Sequence, residues 1–177
     1  MYGWRSLIGL VQPSGGPVAE EEFRMAAPEG VSFVTTRMYI EEVSAEGLER
    51  MLTQVERAAR EIAIMKTDAL VLCGTPTGFF RGQAYNLALT GRLREASGLP
   101  SVTMATAVVE AMRRLGLRKI AAATAYADEL NQRLRAFLEE LWPRRSAPLQ
   151  YRPITTTPRS IRFPRRLLYL RARQRSG

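Results

Sequence analysis

The chain has 177 residues, which is enough to bury a sizeable hydrophobic core. Hydrophobic residues make up 46% of the sequence and charged residues 24%, as in soluble globular proteins. Histidine is absent and Cys73 is the single cysteine, so the composition excludes an internal disulfide framework and disfavours a zinc or iron centre. We expect a cytoplasmic protein without a metal or a membrane segment, because no apolar run approaches the ~20 residues that span a bilayer.

Charge is distributed unevenly along the chain. The net charge is +9, yet residues 143–177 hold ten of the 26 basic residues, five prolines and no acid. This leaves 16 basic and 17 acidic side chains in the preceding 142 residues, which are nearly neutral. Acidic residues and helical periodicity end together near Trp142. We therefore expect an irregular basic tail that is disordered or translated out of frame, with a genuine but divergent tail as the alternative.

The first half of the chain alternates strand and helix patterns. The run SLIGLVQ, ended by a proline and two glycines, predicts a buried strand rather than the apolar region of a signal peptide. The run VSFVTTRMYI predicts a second strand, and the uniformly apolar DALVLC predicts a third that is covered on both faces. Between them, Ser44 is a candidate N-cap for one helix over residues 45–65.

The same alternation continues to about residue 141. We expect a helix over residues 82–96, a short strand SVTM, and a helix ending at Gly116. The segment RKIAAATAY predicts a fifth strand, and Asp128 can cap a last helix. Alternating strands and helices predict an α/β fold with a doubly wound parallel sheet. A weak echo between the segments that begin at Arg5 and Arg118 suggests that a second, similar domain begins near Leu117.

Ligands of such sheets bind beyond the carboxyl ends of the strands. Here those ends are followed by small, hydroxyl and glycine residues whose backbone amides and hydroxyls suit a carboxylate. Thr75, Thr77 and Tyr126 are candidate hydroxyl donors, although ordinary turn residues and a half-buried loop tyrosine would give the same pattern. Cys73 is either an inert core thiol or a nucleophile at a strand end. The candidate regions are residues 13–17, 39–42, 73–80, 103–106 and 124–128.

Three segments of the chain resemble the aspartate/glutamate racemase superfamily, and within it the arylmalonate decarboxylase and maleate cis-trans isomerase group. They are IGLVQPSGGPVAEEEF with its following strand, LVLCGTPTGFFRGQAYNLAL, and ASGLPSVTMATAVVEAMRRLGLRKIAAATAYADELNQRL. The resemblance implies two similar, flavodoxin-like α/β domains with the active site between them. Residues 1–116 would be the first domain, residues 117–142 the first strand-helix unit of an incomplete second domain, and residues 143–177 the tail.

The resemblance also implies a chemistry and a set of site residues. It implies catalysis without cofactor or metal, in which thiols move protons beside a carboxylate and a pocket of amides and hydroxyls stabilises the enediolate-like intermediate. The thiol of the second domain has no counterpart here. Cys73 lies one position before the glycine that matches the first cysteine of the racemases, so it is expected to face the core. The implied catalytic residues are Gly74, Thr75 and Tyr126; the implied substrate-binding residues are Pro13, Ser14, Gly15, Pro76 and Thr77.

These features leave more than one function open. The first is a decarboxylase, isomerase or racemase of a small carboxylic acid, weakly active or inactive as this chain alone. The second is a module that binds nucleic acid or another anionic surface through the ten arginines, although the tail lacks a DNA-binding signature. The third is a non-catalytic fragment that self-associates through an incomplete second domain.

Overall fold

The computed structural model describes residues 2–16, 18–117, 120 and 122–141. The predicted basic tail, residues 143–177, lies outside this part of the chain. The strands are β1 (Ser6–Pro13), β2 (Val31–Met38), β3 (Ala69–Leu72) and β4 (Ser101–Thr103). The helices are α1 (Val18–Ala26), α2 (Ala45–Leu52), α3 (Val55–Ile64), α4 (Thr75–Phe79), α5 (Gly82–Ser97), α6 (Met104–Arg114) and α7 (Asp128–Leu141).

The four strands of the described residues form one parallel sheet in the order β2-β1-β3-β4. The chain leaves β1 toward β2 on one side and then returns past β1 to build β3 and β4 on the other. The strand order therefore reverses between β1 and β3. Their carboxyl ends are the place where ligands of doubly wound sheets bind.

Helices cover both faces of the sheet. Neighbouring residues of β2 show this, because successive side chains of a strand point to opposite faces. Thr36 donates a hydrogen bond to Glu61 of α3, whereas Arg37 reaches Glu20 of α1. The main core lies on the α3 side, where Gly9 lets Ile62 approach β1 closely. The predicted α/β fold with a doubly wound parallel sheet is confirmed.

The helix predicted over residues 45–65 is two helices. Its predicted N-cap is present, since the Ser44 hydroxyl accepts a hydrogen bond of 3.0 Å from the Gly47 amide. Side-chain hydrogen bonds are found at the junction between the two helices. The Thr53 hydroxyl donates to the Arg50 carbonyl at 2.7 Å. The side-chain amide of Gln54 accepts from the Tyr39 N–H group and donates to the Tyr39 carbonyl. The first bond satisfies a carbonyl at the end of α2, and the second ties the junction to the residue that follows β2.

The fifth strand predicted over residues 118–126 is wrong for the residues that the structure describes. Residues 120 and 122–127 have no strand conformation, while residues 118, 119 and 121 lie outside the described part. A strand exists only where a neighbouring backbone can pair with it, and in the described residues none runs beside this segment. The helix predicted after it is present as α7.

Candidate active site

The carboxyl ends of β1 and β3 meet where the strand order reverses. Pro13 ends β1, and Gly74 follows β3 with a φ of +90°, a conformation that favours glycine. A Cβ atom placed on Gly74 would lie 3.0 Å from Cγ of Pro13. The Pro13 ring therefore lies directly beside Gly74 and leaves little room for a side chain there.

Helix α4 begins immediately after Gly74, and its Thr77 is bonded to the Gly74 carbonyl. The Thr77 side chain is fully buried, and its hydroxyl donates to the Gly74 carbonyl at 2.6 Å. Thr77 thus fixes the turn instead of offering the free hydroxyl that the sequence suggested. Its amide also donates to the Gly74 carbonyl, and Pro76 has no N–H group. Of the three amides after Gly74, only that of Thr75 is left for a ligand.

The hydroxyls of Thr75 and Tyr126 meet beside this turn. They come from distant parts of the chain and lie close together, and the Thr75 hydroxyl donates a weak hydrogen bond to Sδ of Met104 at 3.4 Å. Burial raises the pKa of the Tyr126 phenol, and the neighbouring Thr75 hydroxyl opposes this shift in part. The phenol is consequently protonated at neutral pH and can donate a hydrogen bond. The structure brings together three sequence-predicted residues, Gly74, Thr75 and Tyr126.

The loop that follows β1 is held by a charged pair that sequence reasoning missed. The Arg37 guanidinium donates to the carbonyls of Pro13 (3.2 Å) and Gly16 (3.3 Å) and forms an ion pair with Glu20 at 2.8 Å. The Ser14 hydroxyl exchanges hydrogen bonds with the backbone of Ile40, both at 3.1 Å. Ser14 therefore ties the loop to the end of β2. The loop also contains Gly15, which is exposed with open space around its Cα.

Cys73 is a buried thiol. Its side chain is 1% exposed, and Sγ has a weak contact with the Val71 carbonyl at 3.8 Å. Burial, with a smaller contribution from Glu20, raises the pKa of this thiol from 9.0 to about 12. An activated cysteine needs a lowered pKa and access to its substrate. The structure places Cys73 as the inert core thiol of the two alternatives.

A buried network of polar side chains packs against α4. Thr103 donates to Oδ1 of Asn86 at 2.7 Å, Asn86 donates to the Thr106 hydroxyl at 2.7 Å, and the Thr106 amide donates to Thr103 at 3.2 Å. Gly78 of α4 lies against this network and against Ala105. The network joins α5 and α6, so it fixes the position of the helix that carries Thr75.

In the part of the chain that the structure describes, no three cysteine or acidic side chains are grouped in a way that could hold a metal ion. None of the helices there has the length and apolar character needed to cross a membrane.

A sequence model of arylmalonate decarboxylase matches residues 8–146, which include every candidate site residue named above. The chain belongs to the arylmalonate decarboxylase family. The chain is 38% identical over 133 residues to the arylmalonate decarboxylase of Bordetella bronchiseptica, an alignment that covers 75% of this chain and 55% of that protein. It is 32% identical over 144 residues to the maleate isomerase of Nocardia farcinica, covering 75% of this chain and 56% of the relative.

Solved structures give the same assignment. A liganded arylmalonate decarboxylase, with a glycine replaced by cysteine and a cysteine by serine, matches with a TM-score of 0.71 and 36% identity; the match covers 76% of this chain and 57% of that one. The Tris-bound maleate cis-trans isomerase of Nocardia farcinica matches with a TM-score of 0.71 and 30% identity, covering 77% and 60%. This chain thus spans little more than half the length of these relatives.

Proposed function

We propose that this chain supplies the carboxylate-binding part of a cofactor-independent site of the arylmalonate decarboxylase or maleate isomerase type, acting on a small carboxylic acid. One observation carries the proposal: the Thr75 and Tyr126 hydroxyls lie beside each other next to Gly74. They do so at the carboxyl ends of β1 and β3, where the strand order reverses. The names of the family relatives supply the substrate class.

The proposed pocket acts by stabilising negative charge. The Thr75 amide and the Tyr126 hydroxyl donate hydrogen bonds to one carboxylate of the substrate. The Thr75 hydroxyl joins them by exchanging its weak bond to Sδ of Met104 for one to the carboxylate. When a neighbouring carboxylate leaves as CO₂, the electron pair of the broken C–C bond moves into the remaining carboxylate and forms an enediolate. Donors that are already in place stabilise this charge without reorganising. Tyr126 suits the task because its raised pKa keeps the donor proton on the phenol.

The enediolate must then receive a proton on carbon, and Cys73 does not fit that role. A thiol that is 1% exposed and has a pKa of about 12 neither reaches a substrate nor exchanges its proton readily. Cys73 is the only cysteine of the sequence. We therefore expect the purified 177-residue chain to bind a substrate acid but to turn it over weakly or not at all.

Binding and turnover are tested together by NMR. The chain is titrated with phenylmalonate and with maleate, and each mixture is then incubated in D₂O to follow product and deuterium at the α-carbon. Saturable shifts in the amide resonances of Gly74, Thr75 and Thr77 with little or no product are the expected result. Rapid turnover would contradict the assignment of Cys73, and the absence of saturable binding of either acid to the folded chain would contradict the proposed pocket.

Removing the phenol should weaken the binding of the substrate acid. Tyr126→Phe takes away one hydrogen bond to a charged oxygen, which contributes about 1.5–3 kcal/mol, so we expect a Kd for phenylmalonate at least about tenfold higher. Tyr2→Phe is the matched control, because Tyr2 is 98% exposed. Equal affinity of the Tyr126→Phe and Tyr2→Phe variants, measured by calorimetry, would show that the phenol does not contact the ligand.

A further inference from the structure

Tyr126 lies in a segment without regular structure. Residues 122–127 have no strand partner among the described residues, so no sheet ladder sets the position of the Tyr126 backbone. Its ring contacts Phe79 of α4 with 5.9 Å between ring centroids. A ring contact of this kind orients the aromatic plane but fixes neither backbone group of the tyrosine. Other interactions must therefore hold the phenol at Thr75.

Three side-chain hydrogen bonds do so, and they form a closed triangle of Thr124, Tyr126 and Asn131. The Tyr126 amide donates to the Thr124 hydroxyl at 3.3 Å, and the Thr124 hydroxyl donates to Oδ1 of Asn131. Nδ2 of Asn131 then donates to the Tyr126 carbonyl at 2.8 Å. Both backbone groups of Tyr126 are satisfied by this triangle, which takes the place of a paired strand.

We infer that Asn131 is a positioning residue of the proposed site, which holds the Tyr126 phenol against Thr75 by fixing the backbone of Tyr126 through the hydrogen-bond triangle. The inference rests on the proposed function for its purpose. The placement itself stands on the contacts of Asn131, Thr124 and Tyr126 alone.

The chemistry of position 131 supports the inference. Asn131 is 7% exposed in the first turns of α7, where asparagine has a low helix propensity. Its side chain uses an acceptor and a donor at once, toward Thr124 and Tyr126. An aspartate has the same shape but offers no donor to the carbonyl, and leucine offers neither group. A buried amide that is fully paired on both ends specifies one arrangement of its neighbours.

Helix α7 also fixes the other half of the site. Nη1 of Arg133 donates to the Phe80 carbonyl at 2.8 Å, at the end of α4. Thr75 begins α4, so the Thr75 hydroxyl takes its position from α7 through Arg133. The Tyr126 hydroxyl takes its position from the same helix through Asn131. One helix thus takes part in positioning both hydroxyls, together with the network of Asn86, Thr103 and Thr106 that supports α4.

The experiment compares two amide-to-carboxylate substitutions at adjacent positions of the full chain. Asn131→Asp removes the donor to Tyr126, whereas Gln132→Glu makes the same chemical change at an exposed position. Tyrosine labelled with ¹³C at Cζ reports on the phenol, and Tyr126→Phe assigns its resonance. Tyr2, which is 98% exposed, is the internal reference for a phenol in water. Circular dichroism and thermal melting establish that each variant is folded.

In folded Asn131→Asp we expect the Tyr126 resonance to move toward that of Tyr2 and its titration midpoint to fall toward the ordinary value of tyrosine. Gln132→Glu should leave both unchanged. If Asn131→Asp does not fold, Thr124→Val opens the same triangle from a partly exposed loop position and should give the same shift. An unchanged Tyr126 resonance and midpoint in either folded variant would overturn the inference.

Ligand binding separates this inference from the proposed function. If the unsubstituted chain binds phenylmalonate, Asn131→Asp should weaken binding about tenfold, as the loss of the phenol does. If the unsubstituted chain does not bind, the proposed function fails, while the resonance of Tyr126 still decides whether Asn131 positions it.

Discussion

Replacing Gly78 with alanine should lower the free energy of unfolding by about 3 kcal/mol, or the melting temperature by roughly 10 °C. The new Cβ would lie 2.6 Å from Cβ of Ala105 and 2.9 Å from Oδ1 of Asn86. Neither neighbour is the free end of a flexible chain, so α4 must move away from α5 and α6. That movement opens the hydrogen bonds among Asn86, Thr103 and Thr106, which are buried and costly to leave unpaired.

Gly91→Ala is the matched control. Gly91 also lies within a helix, α5, but nothing lies within 4 Å of a Cβ placed there. Alanine has the higher helix propensity, so this substitution should raise the free energy of unfolding by up to about 1 kcal/mol. The same substitution should thus change the free energy of unfolding in opposite directions at the two helical glycines. Urea denaturation of both variants measures the difference. Two stabilised variants would show that α4 does not pack against α6 as described.

The Gly78→Ala variant also tests how the site is supported. Displacement of α4 carries Thr75 away from Tyr126, so the affinity for phenylmalonate should fall together with stability. Gly91→Ala should change stability without changing affinity. A loss of stability with unaltered affinity would separate α4 from the proposed pocket.

The local parts of the fold were predictable from the sequence, because each depends on neighbours along the chain. Alternating apolar runs and helical stripes predicted the four strands of the described sheet, and Ser44 marked the start of α2 as a capping residue. The break between α2 and α3 was not predictable in this way. At the break, the side chain of Gln54 binds the backbone of Tyr39, and a contact between separate elements gives no pattern in the sequence.

The residues of the candidate site were likewise predictable only in part. The rule that ligands bind at strand carboxyl ends, with the family resemblance, led to Gly74, Thr75 and Tyr126. It gave no signal for Arg37 or Asn86, since an isolated arginine or asparagine in a sequence is more often exposed. Asn131 lies in a segment that carries the resemblance, but the sequence assigned it no role. Thr77 was predicted to donate its hydroxyl to a ligand, but in the structure that hydroxyl donates to the Gly74 carbonyl. Residue types identify candidates, while hydrogen-bond partners decide which candidates are free to act.

Cys73 should be alkylated by iodoacetamide about a thousandfold more slowly in the folded chain than in the urea-unfolded chain at pH 8. Thiolate is the reactive form, and raising the pKa from 9.0 to about 12 lowers its fraction by that factor, before burial restricts access further. The sequence has one cysteine, so mass spectrometry of the labelled chain reports on this position alone. A folded rate within tenfold of the unfolded rate would show an accessible, activated thiol.

A second thiol placed in the open provides the control. Gly15→Cys in a Cys73→Ala background puts a thiol on the exposed loop after β1, where a Cβ meets nothing within 4 Å. That thiol should react at nearly the same rate in the folded and the unfolded chain. Comparison of the two thiols removes any general effect of urea on the reagent, so the remaining difference belongs to the environment of Cys73.

The same shift has a consequence for stability at high pH. Because the folded pKa of Cys73 lies above the unfolded value of 9.0, its contribution to stability is present below pH 9 and is lost as the pH rises toward about 12. Cys73→Ala should lack this loss, so the stability of the two proteins should diverge only above pH 9. If they diverged near neutral pH instead, the thiol would titrate near neutral pH. The proposed site would then have a thiol proton donor on this chain after all.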